Sequence, residues 1–159
     1  MSGPPRREVE LAVQVGTPPE RTWRALTDWE RQGEWMLATE VAVTHGDGRS
    51  VGSRLTAKTG YGPFGFVDTM EVTEWDPGRR RCVVAHTGAL VRGEGEFAVT
   101  PMAGGGSLVH WVERLELPFG SVGQLGWPVL RPLFVAGLRW SLHRLARFCA
   151  NYPAEPGAS

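Results

Sequence analysis

Residues 132–151 read PLFVAGLRWSLHRLARFCAN, with no proline after the first position. At about 100° per residue, Leu130, Phe134, Leu138, Ser141, Leu145, Phe148 and Tyr152 fall on one face, and Arg139, His143 and Arg147 fall opposite, with Arg144 at the edge between them. Such an amphipathic helix is about 30 Å long at roughly 1.5 Å per residue, enough to cross a small domain. The rest of the chain must therefore wrap around it. The centre of its apolar stripe is thin, because Gly137 and Ser141 stand one turn apart among Phe and Leu neighbours. Close packing has two ways to accommodate that gap: a strand approaching closely, or a ligand held between helix and sheet. On the second reading Ser141 faces open volume, and Phe in its place would be tolerated.

The preceding sequence supplies a sheet. In residues 8–16, Val9, Leu11, Val13 and Val15 alternate with Glu10, Ala12 and Gln14, the period of two of a half-buried strand. Thr17-Pro-Pro-Glu20 predicts a helix with Thr17 as N-cap, proline at the first position and Glu20 closing a capping box, with Trp23 and Leu26 turned inward. That helix ends near Asp28, and residues 29–36 predict a second short one. Short apolar runs between glycine and proline turns then predict six antiparallel strands, at 38–45, 51–59, 65–75, 80–87, 91–100 and 107–117. Asp47-Gly48 and Asp76-Pro77-Gly78 mark tight turns. Residues 60–65 mix glycine with two aromatics and, with residues 118–127, are expected to frame a pocket entrance. Pro128 and Pro132 predict a bend before the long helix. The order is that of an α+β chain, a seven-stranded curved antiparallel sheet around a long C-terminal helix with two short helices between strands 1 and 2. One domain is expected over residues 8–151, with disordered ends at 1–7 and 152–159.

Charge and cysteine content narrow the function. Lys+Arg and Asp+Glu both number 17, so no net field favours nucleic acid. Cys82 and Cys149 lack metal or CxxC spacing and sit among apolar neighbours, as expected of free thiols in a reducing compartment. No signal-like or membrane-spanning apolar run is visible. A cytoplasmic location without stable membrane insertion is the expectation. Nucleotide loops, nucleophile elbows and metal-spaced clusters are also missing from the sequence, and no metal or cofactor is implied.

Thr17-Pro-Pro-Glu-Arg-Thr-Trp23, Asp28, Trp35 and Val51-Gly52-Ser53 resemble the START-like or SRPBCC superfamily over about residues 8–151. Asp68-Thr-Met-Glu-Val-Thr-Glu-Trp-Asp-Pro77, His86-Thr-Gly88 and Trp111-Val-Glu113 are similar to its polyketide cyclase/dehydrase-like branch of actinobacterial type. The resemblance implies the helix-grip (START/Bet v 1-like) fold. It also implies functions ranging from lipid and quinone carriers to aromatase/cyclases, and assigns no catalytic residue.

Strand parity gives the candidate site independently. Phe66, Asp68, Met70 and Val72 share one face. A three-residue loop at 76–78 pairs Trp75 with Arg79 and sets Asp68 opposite His86. A loop at 87–90 pairs His86 with Val91 and leaves Gly93, Gly95, Phe97 and Val99 inward. Trp111 and Glu113 share the inner face of the last strand, which puts Glu113 near Gly93, about 10 Å from His86 across a gap that water or a ligand would bridge. The expected ligand site comprises Phe66, Asp68, Met70, His86, Gly93, Trp111, Glu113, Phe134, Gly137, Leu138 and Ser141. Asp68, His86 and Glu113 are its proton-transfer groups if the protein is an enzyme.

Three functions remain open from sequence. The first is a carrier, sensor or sequestering protein for a small, mostly hydrophobic lipid-, polyketide- or quinone-like molecule. The second is a polyketide aromatase/cyclase or dehydratase, and the third is a protein-interaction module.

Overall fold

The alternating N-terminal segment is strand β1, Arg6–Val15, and the computed structural model describes residues 6–155. The expectations for residues 1–5 and 156–159 lie outside the described residues. After β1 come helix α1 (Pro19–Leu26), a 3-10 turn at Trp29–Glu34, and strands β2 (Thr39–His45) and β3 (Arg54–Thr59). Strands β4 (Phe66–Asp76), β5 (Arg81–Thr87), β6 (Arg92–Pro101) and β7 (Ser107–Glu116) follow, then helix α2 (Gly120–Asn151). The strands form one antiparallel sheet in the order β1-β7-β6-β5-β4-β3-β2. This is the helix-grip arrangement.

The start of α1 differs from expectation. Pro18 occupies the N-cap and no side chain caps the helix. The Thr17 carbonyl instead accepts hydrogen bonds from Thr22 Oγ1 (3.1 Å) and Ser107 Oγ (2.8 Å), tying the chain to β7. Glu20 reaches Arg80 rather than folding back on Thr17. Two successive prolines set the entry geometry without a polar cap.

The β4–β5 hairpin also differs. Asp76 pairs with Arg81, so four residues rather than three make the turn, and Arg80 takes a left-handed φ of 51°. A bulge between Val72 and Glu74 then shifts the register, and Met70, not Asp68, stands opposite His86. Loop and bulge together displace the expected pairing by an even number of residues. Because side chains alternate with period two, Asp68 and His86 remain on one face. In β5 and β6, His86 pairs with Gly93 rather than Val91, again an even shift.

Helix α2 begins twelve residues before Pro132 and runs without interruption through Pro128 and Pro132. Its buried residues, Ser141, Leu142, Leu145, Phe148 and Cys149, all lie in its C-terminal part. There the helix closes a core containing Trp23, Leu26, Leu55, Val72 and Val109, with Trp35, Phe97 and Trp111 packed ring to ring at 5.1–6.3 Å. The chain beyond α2 is fastened, contrary to the expected loose tail at 152. Tyr152 donates to Asp28 Oδ2 at 2.7 Å, and Arg24 donates to the Pro153 carbonyl at 3.0 Å. Cys82 and Cys149 are free and buried, and burial pushes both thiols up to about 12, so neither is a ready nucleophile.

Candidate functional site

Between the concave face of the sheet and α2 lies a cavity of about 400 Å³. Phe66, Met70, Val84, Phe97, Trp111 and Leu115 form its sheet wall, while Leu133, Phe134 and Leu138 form its helix wall. Met36 and Leu37 close one side. These apolar side chains face inward by strand alternation and by helical spacing. Three ionisable residues share that wall: Asp68, His86 and Glu113.

The three are bonded in a line. His86 Nδ1 lies 2.6 Å from Asp68 Oδ2, and its Nε2 lies 3.2 Å from Glu113 Oε2. Glu113 Oε1 accepts a 2.7 Å hydrogen bond from the Trp111 indole. Burial opposes a charge on the ring, but hydrogen bonds to Asp68 and Glu113 and their negative charges outweigh it and raise His86 to about 10. At neutral pH the ring is an imidazolium with both N–H groups engaged. Asp68 Oδ1, in contrast, is buried without a partner among the described residues.

The expected water-filled gap between His86 and Glu113 is absent, since the two touch directly. Gly95 makes this possible. It lies between Val84 and Glu113 in the pairing, and a Cβ there would stand 3.2 Å from Glu113 Oε1 and 3.4 Å from His86 Nε2. Any side chain would press into the contact. Gly93 has another purpose: its φ is +122° and a Cβ would come within 2.0 Å of the Arg114 carbonyl oxygen. It therefore answers a backbone constraint and does not line the cavity.

All the other expected site residues line the cavity: Phe66, Asp68, Met70, His86, Trp111, Glu113, Phe134, Gly137, Leu138 and Ser141. Ser141 is not the open position that sequence suggested. It is 2% exposed, its Oγ accepts from the Leu37 backbone N–H at 3.0 Å, and it donates to the Gly137 carbonyl at 2.9 Å. The thin point of the helix stripe is thus partly occupied by the segment after the 3-10 turn. Leu37, Val91 and Leu133 line the cavity without having been singled out. Leu133 is adjacent to Phe134 on the helix, and a wider apolar arc would have included it. Val91 shares the parity of Gly93 and Gly95, and the expected pairing with His86 already put it on the inner face. Among the described residues no group of His, Cys, Asp or Glu is arranged to hold a metal ion.

Fold and site together define a helix-grip protein with an apolar cavity and an ionic cluster in its wall. The chain belongs to the family described as polyketide cyclase / dehydrase and lipid transport, whose model matches residues 6–149, and so to the SRPBCC superfamily. No curated protein matches its sequence. Among solved structures it is similar to a Thermus thermophilus protein with 21% identity and a TM-score of 0.78, covering 91% of this chain and 97% of that one. It is also similar to the Zhui aromatase/cyclase from a Streptomyces species, with 16% identity, a TM-score of 0.76, and coverage of 92% and 94%. A norcoclaurine synthase point mutant from Thalictrum, in complex with a transition-state analogue, has 12% identity and a TM-score of 0.69, with coverage of 94% and 98%. At these identities the likeness to solved structures concerns the fold.

Proposed function

We propose that the protein binds a compact, mostly apolar molecule bearing a hydroxyl group, as a carrier or sequestering protein. The observation behind this reading is the composition of the ionic cluster, which has two acids and one base. His86 has spent both its N–H groups on the acids, and Asp68 Oδ1 still has no partner among the described residues. A buried carboxylate oxygen without a donor is costly. That oxygen has almost no free surface, and a Cβ at Gly88 would stand 3.1 Å from it. A ligand hydroxyl supplies the donor as the side chain or the 87–91 connection shifts, whereas a quinone, which offers only acceptors, does not. The apolar remainder of the lining suits rings or a short chain.

The enzymatic alternative draws support from the family description and from the aromatase/cyclase neighbour. An imidazolium held near 10 is poorly matched to accept a proton at neutral pH. In that reading Asp68 is the base and His86 its positioning residue.

The test is calorimetric binding of 1-naphthol, naphthalene and 1,4-naphthoquinone, with mass spectrometry of each mixture after incubation. Naphthol should bind about tenfold or more tighter than the other two, as a hydrogen bond to a charged group warrants, and Asp68→Asn should abolish the preference. Equal affinity for all three would reject the hydroxyl assignment. Chemical conversion of a bound compound would favour the enzyme.

A further inference from the structure

Residues 60–67, 87–91 and 117–130 contain no Asp, Glu, Lys, Arg or His. They are the connection from β3 into the start of β4, the connection from β5 into β6, and the connection from β7 together with the first turns of α2. The pairings Thr59 with Phe66, Thr87 with Arg92 and Arg92 with Glu116 place all three at one end of the sheet. Phe66, Val91 and Leu133, from or beside these segments, line the same cavity, so that end is its mouth.

The apolar side chains there are uncovered. Phe64 is 90% exposed and Leu125 is 80% exposed, with Phe119, Val122 and Val129 exposed beside them. Helix α2 has no buried residue before Ser141. Isolated exposed apolar residues are ordinary, but a field of them around a cavity mouth marks a contact surface. The adjoining charges are of both signs, with Lys58 and Glu40 beside Gly60 and Tyr61. Several arginines there are unpaired, however: Arg92, Arg131 and Arg139 form no ion pair among the described residues. Glu94 and Glu116 are engaged by Arg6, and no acidic residue occurs between Glu116 and Glu155.

We propose that this end docks reversibly on an anionic lipid bilayer, with the cavity mouth against the acyl region. Side chains as exposed as Phe64 and Leu125 protrude rather than line a groove. A fluid bilayer accepts protruding apolar groups of any shape, whereas a protein partner needs a matching depression. Unpaired arginines beside an uncharged apolar tip complement anionic headgroups. The contact is at the surface, since no helix among the described residues is long and apolar enough to cross a membrane. Docking of this kind passes an apolar molecule between bilayer and cavity without exposing it to water, whatever its functional groups.

The test is co-sedimentation with vesicles of phosphatidylcholine alone and of phosphatidylcholine mixed with phosphatidylglycerol. The protein should bind the mixed vesicles, weakly or not at all the neutral ones, and less as salt is raised. The double variant Phe64→Ser/Leu125→Ser should bind at least about tenfold more weakly. The variant Arg92→Gln/Arg131→Gln should lose about fivefold for each charge removed. All four positions are on the surface, so melting temperatures should match the parent protein. Absence of binding to mixed vesicles would overturn the proposal, as would binding that both double variants leave unchanged. A dimer in sedimentation velocity that the Phe64/Leu125 variant dissolves, without vesicle binding, would overturn it in favour of contact between two copies.

Discussion

His86 Nδ1 lies 2.6 Å from Asp68 Oδ2, although His86 stands opposite Met70 in the sheet and meets Asp68 on the diagonal. Two errors of register expected from the turn alone, a longer loop and a bulge, cancel in parity. The bulge between Val72 and Glu74 is thus part of the site, because without it His86 would pair with Glu71 and face away from Asp68.

The contact carries a pH dependence with a defined sign. His86 is raised from 6.5 to about 10 in the folded protein. A raised value stabilises the fold fully below the unfolded pKa and loses that contribution as pH rises to the folded one. The stability difference between the protein and His86→Gln should therefore be largest near pH 6.5 and shrink toward pH 10, by up to about 1.4 kcal/mol per pH unit. Urea unfolding of both proteins across that range checks this. A difference independent of pH would show that the ring gains no proton affinity on folding.

The two inward glycines of β6 should respond differently to a methyl group. Gly93→Ala forces a φ of +122° on alanine and drives its Cβ into the Arg114 carbonyl, so a loss of about 3 kcal/mol or more is expected. Gly95→Ala presses only on the ends of Glu113 and His86 and should cost about 1–2 kcal/mol. It should also separate those side chains and lower the His86 titration midpoint followed by NMR. Equal losses with an unchanged midpoint would refute the role given to Gly95.

Much of this was legible because period-two alternation is a local property. Asp68, His86 and Glu113 could be assigned to one face from their own strands, and even register shifts left that assignment intact. Distances were not legible in the same way. The separation of His86 and Glu113 depends on which residue of β6 lies between them, and that residue is set by loop length, which glycine-rich turns leave undetermined. The two readings of the gap at Ser141 stayed open because a helix stripe shows what is missing from one side only. The Leu37 backbone N–H that fills the place comes from an irregular segment with no periodicity to read.

Ser141 should accordingly behave as a structural residue. Ser141→Ala leaves the Leu37 N–H without its acceptor and should cost about 1 kcal/mol. Ser141→Phe inserts a ring at a position only 2% exposed and should cost about 1–3 kcal/mol. Thermal denaturation of the unliganded variants measures both. A Phe variant as stable as the parent would return this position to the open cavity.

The C-terminal fastening makes a separate prediction. Tyr152→Phe removes the hydrogen bond to Asp28 and should cost about 1 kcal/mol. Truncation after Asn151 also removes one of the two carbonyl acceptors of Arg21, the Pro153 carbonyl that accepts from Arg24, and the Tyr152 ring tilted against Phe148 at 5.6 Å. It should therefore lower the melting temperature further than the point substitution. A truncated protein that melts with the parent would mean that these contacts add nothing to the fold.

Glu113 separates binding from catalysis. Its Oε1 accepts from Trp111 and its Oε2 faces His86 Nε2, so Glu113→Gln can keep the first contact but turns an amide toward the imidazolium. His86→Asn disturbs the same junction from the other side. If the cluster orients a ligand, both variants should weaken naphthol binding by about tenfold through the loss or displacement of the acceptor at Asp68, with no reaction to lose. If the cluster moves protons during turnover, the expected pattern reverses: binding stays near the parent value while the rate falls by about 100- to 10,000-fold. Calorimetry and product analysis on the same samples distinguish the two. Lower stability with affinity and turnover both unchanged would assign Asp68, His86 and Glu113 to the scaffold alone.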